Sequence, residues 1–518
     1  MLQEALENGN IESSLSWKDR FNKLKRKFKK NYKLITLIAV VVISLVLLIV
    51  LLATLLPRRR GNPDENDRIE CPGFKSKESC EKSGCSYDYI NNGPSCYVKS
   101  DRFRYKVLSQ TAKPDGVILK LEATEQQTPY GPSFPQVKFE VTYITENIIR
   151  FKLSDGTENY QPYEVPVQDH FPLLRNEINI DANNLSYKVS YSNEADYFHM
   201  NISRIEGVTL WDTRIGGLIM SEKYLQIASY LPSKNIYGLG EHVHETFRHS
   251  LNYVSWPLFS RDRPPMGGQK NLYGVHPFYT CLENDGKSHG VLLLNSNAME
   301  VTLLPAPAIS FRTIGGVLDF FVFVGENPEH VVQLYTSLVG RPILPPYWGL
   351  GFQLSRYGYN KLENVRAVVE RTRDAGIMQD VQFLDIDHME GRRDFTWDNT
   401  TFAGLPEYIQ ETKEKYGLKW IIILDPAIEV KANYSPYESG INNNVFIKRP
   451  TMWPDSIFPP AVQDLNVTFG RVWPRDIVAF PDFFLKSAKQ WWINQIVEHY
   501  SKIPFDGLWI VSKLSSFS

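Results

Sequence analysis

At 518 residues and 43% apolar composition, the chain can bury several cores, and usual domain sizes predict three or four units once any targeting segment is set aside. A net charge of -1 gives no case for nucleic-acid binding, and so apolar a chain is not a disordered tail. The charge is unevenly placed, with nine Lys/Arg against four Asp/Glu in residues 1–33, a surplus of +5 against -6 for the remainder.

After this basic tail (1–33), the first predicted element is a transmembrane signal-anchor helix over 34–56, 23 residues without a charge. At about 1.5 Å per helical residue this run crosses a bilayer core of roughly 30 Å. Lys18, Arg20, Lys23, Lys25, Arg26, Lys27, Lys29, Lys30 and Lys33 outnumber Arg58, Arg59 and Arg60 downstream. Cationic flanks stay cytoplasmic, so a single-pass type II membrane protein is expected, with everything after the helix lumenal or extracellular. A cleaved signal peptide is the plainer alternative, but the run is too long for one and no small-residue cleavage site follows. Five sequons, at Asn184, Asn201, Asn399, Asn433 and Asn466, all fall after the helix, which suits glycosylation on that side. Residues 57–68 are polar with Pro and Gly and read as a stalk.

Four of the five cysteines, Cys71, Cys80, Cys85 and Cys96, crowd into a small module over 69–98. In an oxidising compartment this reads as a disulfide framework, since the CxxC pairs of zinc ribbons are lacking. Cys281 reads as a buried free thiol. From 101 to 341, short β-branched and aromatic runs such as GVILKLEA, QVKFEVTYI and GVLDFFVFVG predict an antiparallel β-sandwich. After Pro345-Pro346 the period changes: GLGFQLS, DVQFLDID, WIIILDP and DGLWI, separated by helical stretches, predict a parallel βα unit over 342–510. In its first helix, Asn360 and Glu363 are expected to form a capping box, Leu362, Val365, Val368 and Val369 the buried face, and Gly376 the stop.

Residues just past barrel strands carry the chemistry of such folds, which singles out Arg356, Tyr357, Asp385, Asp387, Asp425, Trp473 and Asp482. The segments WPLFSRDRPP, NLYGVHPFY, GRPILPPYWGLGFQLSRYGY, DVQFLDIDHMEGRRDFTWD, IIILDPAI and PFDGLWI resemble glycoside hydrolase family 31, the family of retaining α-glucosidases, and the cysteine module resembles a P-type trefoil reduced from six cysteines to four. The resemblance implies a membrane-anchored chain with a small disulfide trefoil, an antiparallel β-sandwich and the N-terminal half of a (β/α)8 TIM barrel. It implies bridges Cys71–Cys85 and Cys80–Cys96. It further implies that Asp385 accepts hydrogen bonds from the terminal glucose, that Asp262 serves the neighbouring subsite, and that Tyr357, Ile386, Ile423, Trp473 and Trp509 wall the pocket. The plainer reading of Asp385 is a strand-end cap through backbone N–H groups, and of Trp473 and Trp509 core packing.

Asp387 and Asp425 read as loop-holding carboxylates, and Arg392, Arg393 and Asp394 as a solvated or salt-bridged loop. His242, His244 and His249 hint at a metal, but no carboxylate pattern accompanies them and no metal site is expected. No cofactor is expected either: Gly238 and Gly240 are too few for a dinucleotide loop, and no GxxxxGK occurs. In the family, PFDGLWI runs into Asp-Met-Asn-Glu, whose aspartate is the nucleophile. Here Val511 takes that position, followed by a divergent tail to 518. The expectation is therefore a retaining α-glucosidase for the terminal α-linked glucose of maltose-type oligosaccharides, truncated so that this chain lacks turnover; the alternative is a noncatalytic membrane glycoprotein that binds glycans through the sandwich/barrel pocket and trefoil. Half a barrel is also expected to leave strand edges unpaired.

Overall fold

A computed structural model describes residues 65–510, apart from 158, 176–179, 181–183, 451–453 and 458–461. The expected basic tail (1–33), anchor helix (34–56), stalk up to residue 64 and tail 511–518 with Val511 lie outside the described residues. Among the described residues, no helix is long and apolar enough to cross a membrane.

The cysteine module forms a three-stranded antiparallel sheet, with Cys96–Val98 between Ile69–Glu70 and Ser86–Tyr87. Its one helix, Lys77–Lys82, starts at a reciprocal cap in which Ser76 and Ser79 satisfy each other's backbone amides. Disulfides join Cys71 to Cys85 and Cys80 to Cys96. The four sulfurs, Val98, Phe103 and Ile219 form one buried cluster, so residues beyond the module complete a core too small to close by itself. Tyr130 and Tyr224 stack 3.7 Å apart beside that cluster, and Tyr130 donates to the Pro72 carbonyl at 3.1 Å.

The sandwich consists of two eight-stranded antiparallel sheets. One runs from Asn235–Val243 through Lys270–Leu282, Ser288–Leu293, Leu318–Gly325, Ile148–Asp155, Gln136–Thr145 and Gly116–Ala123 to Tyr105–Lys113. The other runs from Tyr187–Tyr191 through Met200–Arg204, Thr209–Asp212, Tyr224–Tyr230, Ala308–Thr313 and Met299–Leu304 to Val254–Leu258, with Ile219–Ser221 as an eighth strand paired to Tyr224–Tyr230 off this path. Alternation sets the inner face: Val137, Phe139 and Val141 on one strand and Ile149, Phe151 and Leu153 on the next are buried. Phe151 meets Trp211 of the other sheet at 5.3 Å and stacks on its own cross-strand partner Phe320 at 4.9 Å. Leu318–Gly325 is buried along its whole length because helix Pro328–Val339 covers its outer face through Val331 and Leu338.

At one end of the sandwich Arg204 crosses between the sheets. It donates twice to Glu283 at 2.7 Å and also to the Ser288 and Gly325 carbonyls. His289 Nδ1 lies 3.1 Å from Glu283, and all three side chains are buried. Cys281, the free thiol, is buried nearby on the same sheet.

Beyond the sandwich, Gln353–Leu354, Val381–Leu384, Lys419–Leu424 and Gly507–Ile510 form one parallel sheet in sequence order. Helices Leu362–Asp374 and Leu405–Tyr416 bury Leu362, Val365, Val369, Leu405 and Ile409 against Leu384, Trp420 and Ile422. The Trp420 indole N–H reaches Thr412 Oγ1 at 2.9 Å, so the large ring is buried with its polar atom paired. Among the described residues, the two outer strands each have one partner, and Ile510 on the last is 74% exposed.

Two details differ from expectation. The helix Leu362–Asp374 has no capping box: its N-cap is Lys361, and the Leu362 amide donates to the Thr401 carbonyl instead. With that amide satisfied, Asn360 is left to accept from Asn364 at 2.9 Å. The helix does stop at Gly376, whose φ of +73° is the left-handed conformation glycine permits. The segment after Lys419–Leu424 is also more than a loop: Ile428–Glu429, Val478–Ala479 and Phe469–Gly470 form a small antiparallel sheet with helix Ser435–Asn442. A separate core holds it, with Leu424, Ile428, Phe446, Val462, Phe469 and Trp491.

Burial by itself raises the Glu283 carboxyl, but the hydrogen bonds from Arg204 and His289 outweigh it and hold the group down at about 2. A depressed carboxyl stabilises the fold above its unfolded value of 4.5, and that stability is lost as the pH falls toward 2. Glu283→Gln, which strands the Arg204 guanidinium, should destabilise the protein by about 3–5 kcal/mol at pH 7. Urea unfolding at pH 7 and at pH 3 should show the difference shrinking at the lower pH.

Candidate active site

The carboxyl ends of the parallel strands converge because the strands are in register: Leu384 pairs with Ile422, and Ile423 with Trp509. Side chains alternate, so Leu384, Trp420 and Ile422 point to the helices while Phe383, Ile421, Ile423 and Trp509 take the other face. Immediately past Leu384 the chain turns through a 3-10 helix, Ile386–His388. Ile386, Met389 and Ile423 bury together there, with Trp473 and Trp509 packed against them. Four of the five expected wall residues thus share one cluster. Met389 joins it without having been singled out, and its place three residues after Ile386 in the turn was the available signal.

Asp385 is the hinge of this turn. Its Oδ1 accepts from the Ile386 amide at 2.7 Å, the strand-end cap of the plainer reading, and its remaining oxygen is left for other partners. Burial raises its carboxyl above the usual range; the Ile386 amide opposes that and the neighbouring Asp387 charge adds to it. A small hollow beside it is lined by Tyr359, Phe383, Leu384, Asp387, His388 and Phe402. His388 is 1% exposed, donates from Nδ1 to the Asp385 carbonyl at 2.7 Å, and is driven down to about 4 by burial, so it is neutral at physiological pH.

The other candidates sit around this centre. Asp387 accepts from the Gly358 amide at 2.9 Å and so ties the loop after the first barrel strand to the second. Tyr357 is exposed, and its hydroxyl accepts from Arg392 at 3.1 Å. Arg356 lies 5.6 Å over the Tyr359 ring, and Asp482 Oδ1 accepts from the Phe484 amide. Asp262 is not part of the cluster: it occupies an exposed loop between Val254–Leu258 and Lys270–Leu282, where it accepts from the Tyr273 hydroxyl.

The loop of Arg392, Arg393 and Asp394 is solvated only at Arg392. Arg393 is buried and pairs with Glu390 at 2.8 Å and Glu429 at 3.4 Å. Asp394 is buried, accepts from the Asp425 amide at 3.1 Å, and its backbone carbonyl accepts from Tyr434. These links join the second and third strand ends to the inserted sheet. The three histidines surround Trp256: His242 and His249 direct Nε2 at the Pro257 and Gly238 carbonyls, and His244 Nδ1 meets the Thr246 carbonyl. Among the described residues, the only grouping with metal-ligand geometry is Cys71, Cys85 and Cys96, and all three are in disulfides.

Burial, and then the Asp425 charge, push the Asp394 carboxyl well above its ordinary 3.8. A raised carboxyl contributes stability that is full below the unfolded value and is lost as the pH climbs toward the folded one. Asp394→Asn keeps the acceptor for the Asp425 amide and removes that loss. The variant should match the parent at pH 4 and exceed it by about 1–3 kcal/mol at pH 7 in urea unfolding.

Residues 342–516 match the Glycosyl hydrolases family 31 TIM-barrel domain, residues 138–301 the glycosyl hydrolase 31 N-terminal galactose mutarotase-like domain, and residues 62–99 the trefoil (P-type) domain. Intestinal sucrase-isomaltase of Homo sapiens is 39% identical over 467 residues, 88% of this chain and 24% of that protein. Lysosomal alpha-glucosidase of Mus musculus is 36% identical over 459 residues, 86% of this chain and 45% of that protein. The chain therefore spans about a quarter to under half the length of these relatives. Among solved structures, the glucosidase II alpha subunit superposes with a TM-score of 0.61 at 18% identity, over 79% of this chain and 51% of that one. A Flavobacterium johnsoniae GH31 dextranase complexed with glucose gives 0.61 at 17% identity, over 79% and 48%. At such identities these two speak for the fold alone, while the domain matches and the sequence relatives carry the assignment: the chain belongs to glycosyl hydrolase family 31.

Proposed function

We infer that this chain is an α-glucosidase-type family member that holds the terminal glucose of a maltose-type α-glucoside at the barrel strand ends and does not hydrolyse it. The observation that carries the reading is the half-buried Asp385 carboxylate, set at a strand end beside the wall of Ile386, Ile423, Trp473 and Trp509. Asp385 accepts from sugar hydroxyls, while the rings and aliphatic groups face the C–H surfaces of the sugar. Tyr357 lines the entrance, and Asp262 contributes to the neighbouring subsite. The names of the relatives, sucrase-isomaltase and lysosomal alpha-glucosidase, support the substrate class.

Turnover fails on chemistry. Retaining hydrolysis needs an ionised oxygen beside the anomeric carbon, with a second carboxylate about 5–5.5 Å away. Where the family places its nucleophile after PFDGLWI, this chain has Val511, whose hydrocarbon side chain can neither attack nor stabilise an oxocarbenium ion. The protein hangs from the membrane by residues 34–56 with the sandwich and barrel on the lumenal or outer side, a reading supported by the upstream cations, the later sequons and the two disulfides.

Calorimetry on the full chain in detergent should register maltose binding. Asp385→Asn should weaken it by about 1.5–3 kcal/mol, roughly ten- to a hundredfold. Neither protein should release glucose from maltose or from a chromogenic α-glucoside. Equal affinities would remove Asp385 from the site, and glucose release by the purified parent would refute the inert reading.

A further inference from the structure

A cavity larger than the hollow beside Asp385 lies away from it in the barrel region. It holds about 450 Å³ between the loop at Glu390, the start of helix Ser435–Asn442 and the end of helix Lys486–Lys502. Its size lies within the range of about 300–1,000 Å³ usual for small-ligand sites. Phe395 and Tyr434, both largely buried, line it, and Lys431 and the ion pairs Glu390–Arg393 and Glu498–Lys502 contribute charges. Asn433 also lines it, and Asn433-Tyr434-Ser435 is one of the five sequons. Asn433 is exposed, has a left-handed φ of +59°, and is held in that turn by its amide, which donates to Glu438 Oε1 at 2.8 Å. No other sequon asparagine lines this space.

We propose that an N-linked glycan on Asn433 folds its first sugars into this cavity and ties the inserted sheet to helix Lys486–Lys502. Attachment consumes a lipid-pyrophosphate-linked oligosaccharide: Nδ2 of Asn433 bonds to the anomeric carbon, the carbon–oxygen bond to the pyrophosphate breaks, the amide loses one proton, and the lipid pyrophosphate leaves. The first N-acetylhexosamine is then within reach of the cavity by covalent attachment, so its entry carries no cost of bimolecular association. Its C–H groups pack on the little of Phe395 and Tyr434 that lines the cavity, while its hydroxyls meet the charged groups of Glu390, Lys431 and Glu498. This inference rests on the lumenal placement given above, and the other four sequons separate the two.

The full chain, made in glycosylating animal cells, is mapped by glycopeptide mass spectrometry and then digested with a peptide N-glycosidase without denaturant. Asn433 should carry a glycan released about tenfold or more slowly than those on Asn184, Asn399 and Asn466, because release requires the cavity to open locally. After denaturation the rates should converge. Ser435→Ala, which abolishes the sequon and leaves Asn433 in place, should lower the Tm, and Ser435→Thr, which keeps the sequon, should restore it. A bare Asn433 beside modified neighbours, or native release as fast as theirs, would overturn the cavity proposal and leave the topology standing. Five bare asparagines would overturn both.

Discussion

Parallel register is the constraint on which the site depends. In a parallel sheet, residues opposite one another share a face, so pairing Leu384 with Ile422 and Ile423 with Trp509 decides in one step which side chains meet the helices and which meet the pocket. A slip of one residue would send Trp420 into the pocket and Ile423 under the helices. The burial of Trp420, with its indole N–H satisfied by Thr412, opposes such a slip. The turn at Asp385 then needs only to begin where the register ends.

What holds that turn is a set of polar contacts, several of them buried or partly buried. Asp387 grips the Gly358 amide, His388 grips the Asp385 carbonyl, Asp394 grips the Asp425 amide, and Arg393 bridges Glu390 and Glu429. The Asp387 and Asp394 bonds and the Arg393–Glu429 pair reach other loops and so fasten the strand ends to one another and to the inserted sheet, while the His388 and Glu390 contacts brace the turn from within. Breaking one such contact leaves a desolvated group unpaired, which is far more costly than losing a surface pair. His388 must stay neutral to sit there, and burial ensures that it does.

The elements legible in the sequence were those with long, periodic apolar patterns. QVKFEVTYI announced its buried Val137, Phe139 and Val141, and Leu362, Val365, Val368 and Val369 announced one helix face, because burial follows directly from periods of 2 and 3.6. The inserted sheet was illegible: its strands are two residues each, too short for any period to register. The capping box failed because a distant carbonyl, that of Thr401, took the amide that a local side chain was expected to serve. The burial of Asp394 was hidden for a similar reason, since its partners Asp425 and Tyr434 lie 31 and 40 residues away. For the pocket wall, residue types were legible through the family resemblance, whereas their meeting with Met389 depends on the turn geometry.

The most direct test of the account is a crystal structure of the full chain soaked with maltose. The account predicts an intact disaccharide whose terminal glucose places a hydroxyl at about 2.6–3.2 Å from the Asp385 carboxylate and a ring face against Trp473 or Trp509. Density for the sugar only elsewhere on the molecule, or for free glucose in place of maltose, would contradict it.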